Sequence, residues 1–200
     1  MKTFLLVTLM VLLPVLVSGE SKGLRKDESW FKAATCHGSL PRTEWTLAGN
    51  NSPTPACLTG KNVIEGVLDF DANEDQSAIL PFTLPPHFAG TIHVTIMWQP
   101  VSAIGSVGWC VELIPAADLK REGGAPVTQT ARSCASEDAK KSAHHLNREL
   151  VFDVVVKAAA AKNDSLHIRL SRDANSSVVL DDMPGDARLI GVAIETSGGS

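Results

Sequence analysis

The chain predicts an all-β protein, an antiparallel β-sandwich, and three observations lead there. Residues 91–98 and 166–171 alternate aliphatic with polar side chains, a period of two that suits a half-buried strand and not a helix. Short apolar runs of similar length recur from residue 62 onward. Pro and Gly clusters separate them, as turns between strands require.

In chain order, Lys2 precedes an apolar run over 4–17 that ends in Ser18 and Gly19. A charged start, a greasy centre and a small-residue exit are the marks of a secretory signal peptide over 1–19, with cleavage after Gly19. The run is interrupted by Thr8 and Pro14 and is short for a membrane span, which needs about 20 apolar residues. The expected product is therefore secreted, with no membrane span after cleavage. Residues 20–29 make a charged leader with little to bury. Residues 30–61 are rich in breakers (Gly38, Pro41, Gly49, Pro53, Pro55) and predict a loop-rich N-terminal region, with Trp30, Phe31 and Trp45 pinning it to a core.

The β-sandwich domain is expected over 62–200. Strands are predicted at 63–70, 78–84, 91–98 and 107–114. The third and fourth show matched alternation (Ile92, Val94, Ile96, Trp98; Val107, Trp109, Val111, Leu113) and are read as a hairpin. Residues 116–147 carry Gly123, Gly124 and Pro126; a helix over 136–146 and a strand or loop are equally compatible with the pattern there. A fifth strand follows at 150–156. Leu166, Ile168 and Leu170 then alternate with His167, Arg169 and Ser171. A polar turn with Asp173, Asn175, Asp181, Asp182, Pro184 and Gly185 leads to the apolar run 189–194, so this segment reads as two antiparallel strands.

The composition narrows the function. With 18 Lys and Arg against 22 Asp and Glu the net charge is −4, and no basic block exists to neutralise phosphates, so nucleic acid is not an expected partner. Four cysteines, Cys36, Cys57, Cys110 and Cys134, lie in the exported part, where thiols oxidise. The favoured pairings are Cys36 with Cys57 and Cys110 with Cys134, each closing a modest loop of polar and turn residues.

The succession of residues 68–100, then 102–113, then 165–177 followed by 185–195, resembles a jelly-roll-like β-sandwich domain of tailed-bacteriophage structural (tail or appendage) proteins and related bacterial proteins. The resemblance covers 67–195 and is most specific in RLSRDA and GDARLIGV. It implies a jelly-roll topology and a structural, virion-like role. The signal peptide, the cysteine-bearing N-terminal region and Cys110 within a core strand depart from such a protein, so the fold alone is carried over.

Several constellations are candidates for chemistry. Asp69, Asp71, Asn73 and Asp75 alternate as calcium ligands do. An EF-hand loop would place Gly and Glu where Glu74 and Leu80 stand, so only a calcium site of another kind could form there; no other cofactor is implied. Asp181 and Asp182 are ligand-binding candidates, and their loop and the Asp69–Asp75 loop would share an ion if they met. The scattered histidines, with His144 and His145 adjacent, do not make a zinc set. No GxSxG elbow is present. A sugar-binding face would use tryptophan: Trp98 and Trp109 fall on the dry phase of their strands, whereas Trp45 sits among polar residues and is the ligand candidate. Asn50, Asn163 and Asn175 head N-x-S sequons, which would carry glycans only in a eukaryotic secretory route, and Pro53 just beyond it weakens the Asn50 site.

The residues thus predict a secreted, non-enzymatic sandwich acting by surface contact, as an assembly module that associates with itself or another extracellular protein. The alternatives are a lectin-like module with a glycan partner and a secreted hydrolase.

Overall fold

The computed structural model describes residues 27–47, 51–60, 64–82, 90–115, 132–139, 148–156 and 166–197. Twelve strands lie among them: β1 Asp27–Lys32, β2 Thr35–His37, β3 Leu40–Arg42, β4 Thr54–Thr59, β5 Ile64–Phe70, β6 Ser77–Phe82, β7 Gly90–Pro100, β8 Ser106–Pro115, β9 Arg132–Asp138, β10 Arg148–Val156, β11 Leu166–Arg172 and β12 Ala187–Ser197. One sheet runs β10-β7-β12-β5-β4, with β1 also on β12; the other runs β6-β11-β8-β9. All pairings in both sheets are antiparallel. The fold is an antiparallel β-sandwich of jelly-roll type.

The strands expected from residue 63 onward all form, but two of their pairings differ from expectation. β7 and β8 are not a hairpin: β7 lies between β10 and β12, while β8 lies between β11 and β9. β11 and β12 likewise belong to different sheets. The reason is burial. Ile92, Val94, Ile96 and Trp98 on β7 and Val107, Trp109, Val111 and Leu113 on β8 are all buried, and two dry stripes are both covered when the strands face each other across an interior. The 14-residue link 173–186 is also far longer than the two to five residues that usually close a hairpin.

Before residue 62 the structure holds more strand than the breakers suggested. Pro and Gly there cut the chain into strands of three to six residues, of which β1 and β4 join the six-stranded sheet while β2 and β3 pair with each other as a separate two-stranded sheet. β1 pairs along β12 from Asp27 to Lys32, and β4 forms the edge beyond β5. Of the segment expected as helix, strand or loop, Ser136 to Asp138 end β9, and 140–147 lie outside the described residues. Residues 1–26, with the expected signal peptide, lie outside them too. The disulfides are Cys36–Cys57, tying β2 to β4, and Cys110–Cys134, joining directly opposed residues of β8 and β9. No helix among the described residues is long and apolar enough to cross a membrane.

An aromatic group fills the interior: Trp109 meets Phe70 and Trp98 edge-on, with ring centroids 5.0 and 6.1 Å apart. Trp98 donates its indole N–H to Glu137 Oε2 at 2.9 Å. Trp45 belongs to the same core. It is 4% exposed, its Nε1 donates to the Lys32 carbonyl at 3.0 Å, and the next residue bridges to Ile79 of the facing sheet. Trp45→Ala should therefore destabilise the fold by about 3–5 kcal/mol, the usual cost of emptying a buried tryptophan site, as read from the midpoint of urea unfolding.

Candidate functional site

Two regions can carry function, one end of the sandwich and the outer face of its six-stranded sheet. The loops 71–76, 101–105 and 173–186 each carry the chain from one sheet to the other, and they gather at one end because β5 and β7 finish beside the start of β12. Arg172 binds this end together. Alternation places it two residues past Leu170, on the dry phase of β11, where it is fully buried. Its five N–H groups meet five contacts: Nε and Nη2 reach Asp181 Oδ2 and Oδ1, both at 2.8 Å, while the carbonyls of Phe70, Gly185 and Met183 accept at 3.1, 3.0 and 3.1 Å. Asp181 also accepts the Gly108 N–H at 3.0 Å.

Both oxygens of Asp181 are therefore engaged and 7% of the residue is exposed, so it is a structural anion, not a ligand-binding one. Asp182 is exposed, but its Oδ1 accepts from Ser106 N at 2.6 Å and so pins the start of β8. Asp173, buried beside them, folds the loop around itself by accepting from Val178 N, Val179 N and Ser177 Oγ. Burial pushes its carboxyl pKa up, but those hydrogen bonds and the charge of Arg132 outweigh burial, and the net shift is down.

The four candidate calcium residues are engaged by other side chains or by one another. Asp69 meets Arg188 Nε at 3.2 Å, and burial, opposed by that arginine, raises its pKa. Asp71 accepts from Asn73 N at 2.7 Å and from Asn73 Nδ2 at 3.2 Å, making a local turn. Asp75 accepts from Asn175 N and Nδ2. The two acidic loops do meet, but through that asparagine and not through converging carboxylates. Among the described residues no three acidic, His or Cys side chains are grouped to hold a metal. Asn175 of the third sequon is exposed, with its amide turned to Asp75; Asn50 and Asn163 lie outside the described residues.

The outer face of the six-stranded sheet is different in kind. Trp30, adjacent to the inward Phe31, must face outward, and it is 44% exposed. Its indole lies against Gly191, where a Cβ would come within 2.7 Å of the ring carbon Cζ2. The row through Trp30 runs across Ala193 and Thr95 to Val151, and the next row holds Glu195, His93 and Asp153. His93 Nδ1 and Asp153 Oδ1 are 2.6 Å apart, with the side chains 34% and 68% exposed. An open aromatic plate among carboxylates, imidazole and hydroxyl is an arrangement for holding a ligand that has both apolar and hydroxylated faces. Trp30 could have been found from the sequence, because neighbouring Trp and Phe on one strand cannot both be buried on the same side.

No family model matches the chain, and no curated protein matches it. Among solved structures it is similar to a CBM35 from Cellvibrio japonicus Abf62, at 12% identity and TM-score 0.44, covering 86% of this chain and 94% of that one. The K2 cleaved adhesin domain of Lys-gingipain gives 11% identity and TM-score 0.47, covering 86% and 99%. The structure of infectious bursal disease virus Gx strain gives 14% and 0.31, covering 74% and 39%.

Two outcomes follow from the clasp. Arg172→Met alone should cost about 3–5 kcal/mol in urea unfolding because it strands a buried carboxylate, while Arg172→Met with Asp181→Leu should cost less than Asp181→Leu and Arg172→Met added together. For Asp173 the folded pKa lies below its ordinary 3.8, so its stabilisation is present above that value and is lost as pH falls through the lower folded one. The stability gap between wild type and Asp173→Asn, about 2 kcal/mol at pH 7 for hydrogen bonds to a buried charge, should close on acidification.

Proposed function

We propose that the protein is a secreted, non-enzymatic carbohydrate-binding module, and that the outer face of its six-stranded sheet, centred on Trp30, is the contact surface. The observation that carries this reading is the seating of Trp30. Gly191 removes the side chain that would lift the ring, so one face of the indole rests on backbone while the residue stays 44% exposed. A large aromatic left open and supported from below stacks on the C–H face of a pyranose, and the polar row Glu195, His93 and Asp153 alongside supplies acceptors and donors for hydroxyl groups. Secretion is supported by the two disulfides, which persist in oxidising compartments.

The test is glycan-array binding by the mature protein and by Trp30→Ala. Binding by wild type should fall at least about tenfold in the variant, measured at a temperature where the unfolding curves show both proteins folded. Equal binding by both proteins would refute the reading.

A second reading, assembly into an extracellular or virion-like appendage, draws on the edge of the same sheet. β10 is its outermost strand, and Val151 and Val155 are 58% and 61% exposed there. A strand that ends its sheet among the described residues and carries exposed aliphatics favours strand addition by another copy. Sedimentation of the mature protein at rising concentration separates the two: assembly requires growth in mass that Val151→Lys abolishes, and glycan recognition requires none.

A further inference from the structure

Beside Trp30 the outer face is indented by a cavity of about 370 Å3, and its construction specifies more than a general sugar-binding surface. Its walls come from five places in the chain: Trp30 and Lys32 on β1, Ala34 to Cys36 leading through β2, Ile64 to Gly66 on β5, Met97 on β7 and Ile190 on β12. Three backbone features make the space. A β-bulge between Leu189 and Gly191 turns Ile190 out of the core and into the cavity. Gly66 lets the Ala34 backbone approach β5 more closely than any Cβ would allow. The Cys36–Cys57 disulfide then ties that wall to β4.

We propose that this cavity is a subsite for a single neutral hexopyranose ring at the end of a glycan chain, an inference that rests on the carbohydrate-binding reading and deepens it. The apolar part, Trp30 with Ile190 and Met97, matches the C–H face of one ring. The polar part is a cation and an anion of opposite role, Lys32 and Glu65, at the same cavity. A carboxylate accepts from vicinal hydroxyls and an ammonium donates to them, so a polyol without charge satisfies both. A uronate would pair with Lys32 but meet Glu65 with like charge, and an amino sugar would pair with Glu65 but meet Lys32 in the same way, so neither satisfies both groups as a neutral polyol does. The volume lies at the lower end of the range of about 300–1,000 Å3 usual for small-molecule sites, which fits one ring and not a run of them. Ala34 to Cys36 form one wall of the cavity and Trp30 stands at another, so a terminal ring in the cavity leaves the rest of the glycan on the sheet face beside Trp30.

The experiment is competition by monosaccharides against the glycan bound on the array, with the intact mature protein, Glu65→Gln, Lys32→Met and Trp30→Ala. The probes are methyl glucopyranoside, methyl galactopyranoside and methyl mannopyranoside, with methyl glucuronide and glucosamine as charged counterparts. At least one neutral glycoside should compete, the charged forms should compete at least about tenfold less well, and Glu65→Gln and Lys32→Met should each weaken the neutral sugar by about tenfold. Glu65 and Lys32 lie outside the core, so unchanged unfolding midpoints exclude a folding effect. If Trp30→Ala abolishes glycan binding while no monosaccharide competes and both polar variants bind as wild type, the terminal subsite is wrong and the sheet-face reading stands. If Trp30→Ala binds like wild type, or no glycan binds at all, both fall.

Discussion

The fold depends on one buried ion pair. A sandwich in which consecutive strands change sheets leaves backbone carbonyls at every crossover without a ladder partner, and a buried carbonyl left unpaired is costly. At the end where three crossovers meet, Arg172 answers three of these carbonyls at once, from Phe70, Met183 and Gly185, and balances its charge with Asp181. No aliphatic residue could do this. The pair pays a desolvation cost that good geometry and full hydrogen bonding offset, and its gain is positional: the end of β11 is held to the end of β5 and to the loop leading into β12, across the two sheets, where no sheet ladder joins them.

That arrangement accounts for the acidic residues at the same end. Asp173 closes its own loop, Asp181 neutralises Arg172, Asp182 holds Ser106, and Asp75 joins the neighbouring loop through Asn175. Each carboxylate has a donor supplied by the chain itself, so the cluster is a set of loop fastenings. The outer face of the six-stranded sheet differs in its exposure: Trp30, His93 and Asp153 are all at least a third exposed there.

Much of the architecture was legible in the sequence because period-two burial is a local signal. Ile92 to Trp98 and Leu166 to Leu170 announced their strands and their dry faces, and modest loop length pointed to the disulfide pairs that form. Partner choice was not legible, since nothing local tells β8 to pair with β11 and not with β7. Trp45 was misplaced for a related reason: its neighbours Glu44 and Thr46 are exposed, but a bridge to Ile79 draws the chain across the opening between the sheets and turns the indole inward. Arg172 stood on the apolar phase and was overlooked there, because a charged residue at the end of a strand is ordinarily solvated.

The segment Ala187 to Ile194 links fold to candidate site in a way that can be read from its spacing. Ala187 and Leu189 face the core, as do Val192 and Ile194, so the inward phase shifts by one residue between Leu189 and Val192. A regular strand cannot do this; one extra residue must be accommodated, and the bulge at Ile190 is that accommodation. Its two outward residues are then Ile190 and Gly191. The first, with a large side chain, has no place on a wet surface unless something covers it, and β1 with the Ala34 segment does so. The second, with none, leaves room for the covering strand to lay Trp30 flat. The apolar floor of the cavity therefore follows from one phase shift in a central strand: deleting Ile190 would restore the regular period with Gly191 still outward beneath Trp30, and would remove the side chain that lines the cavity beside it.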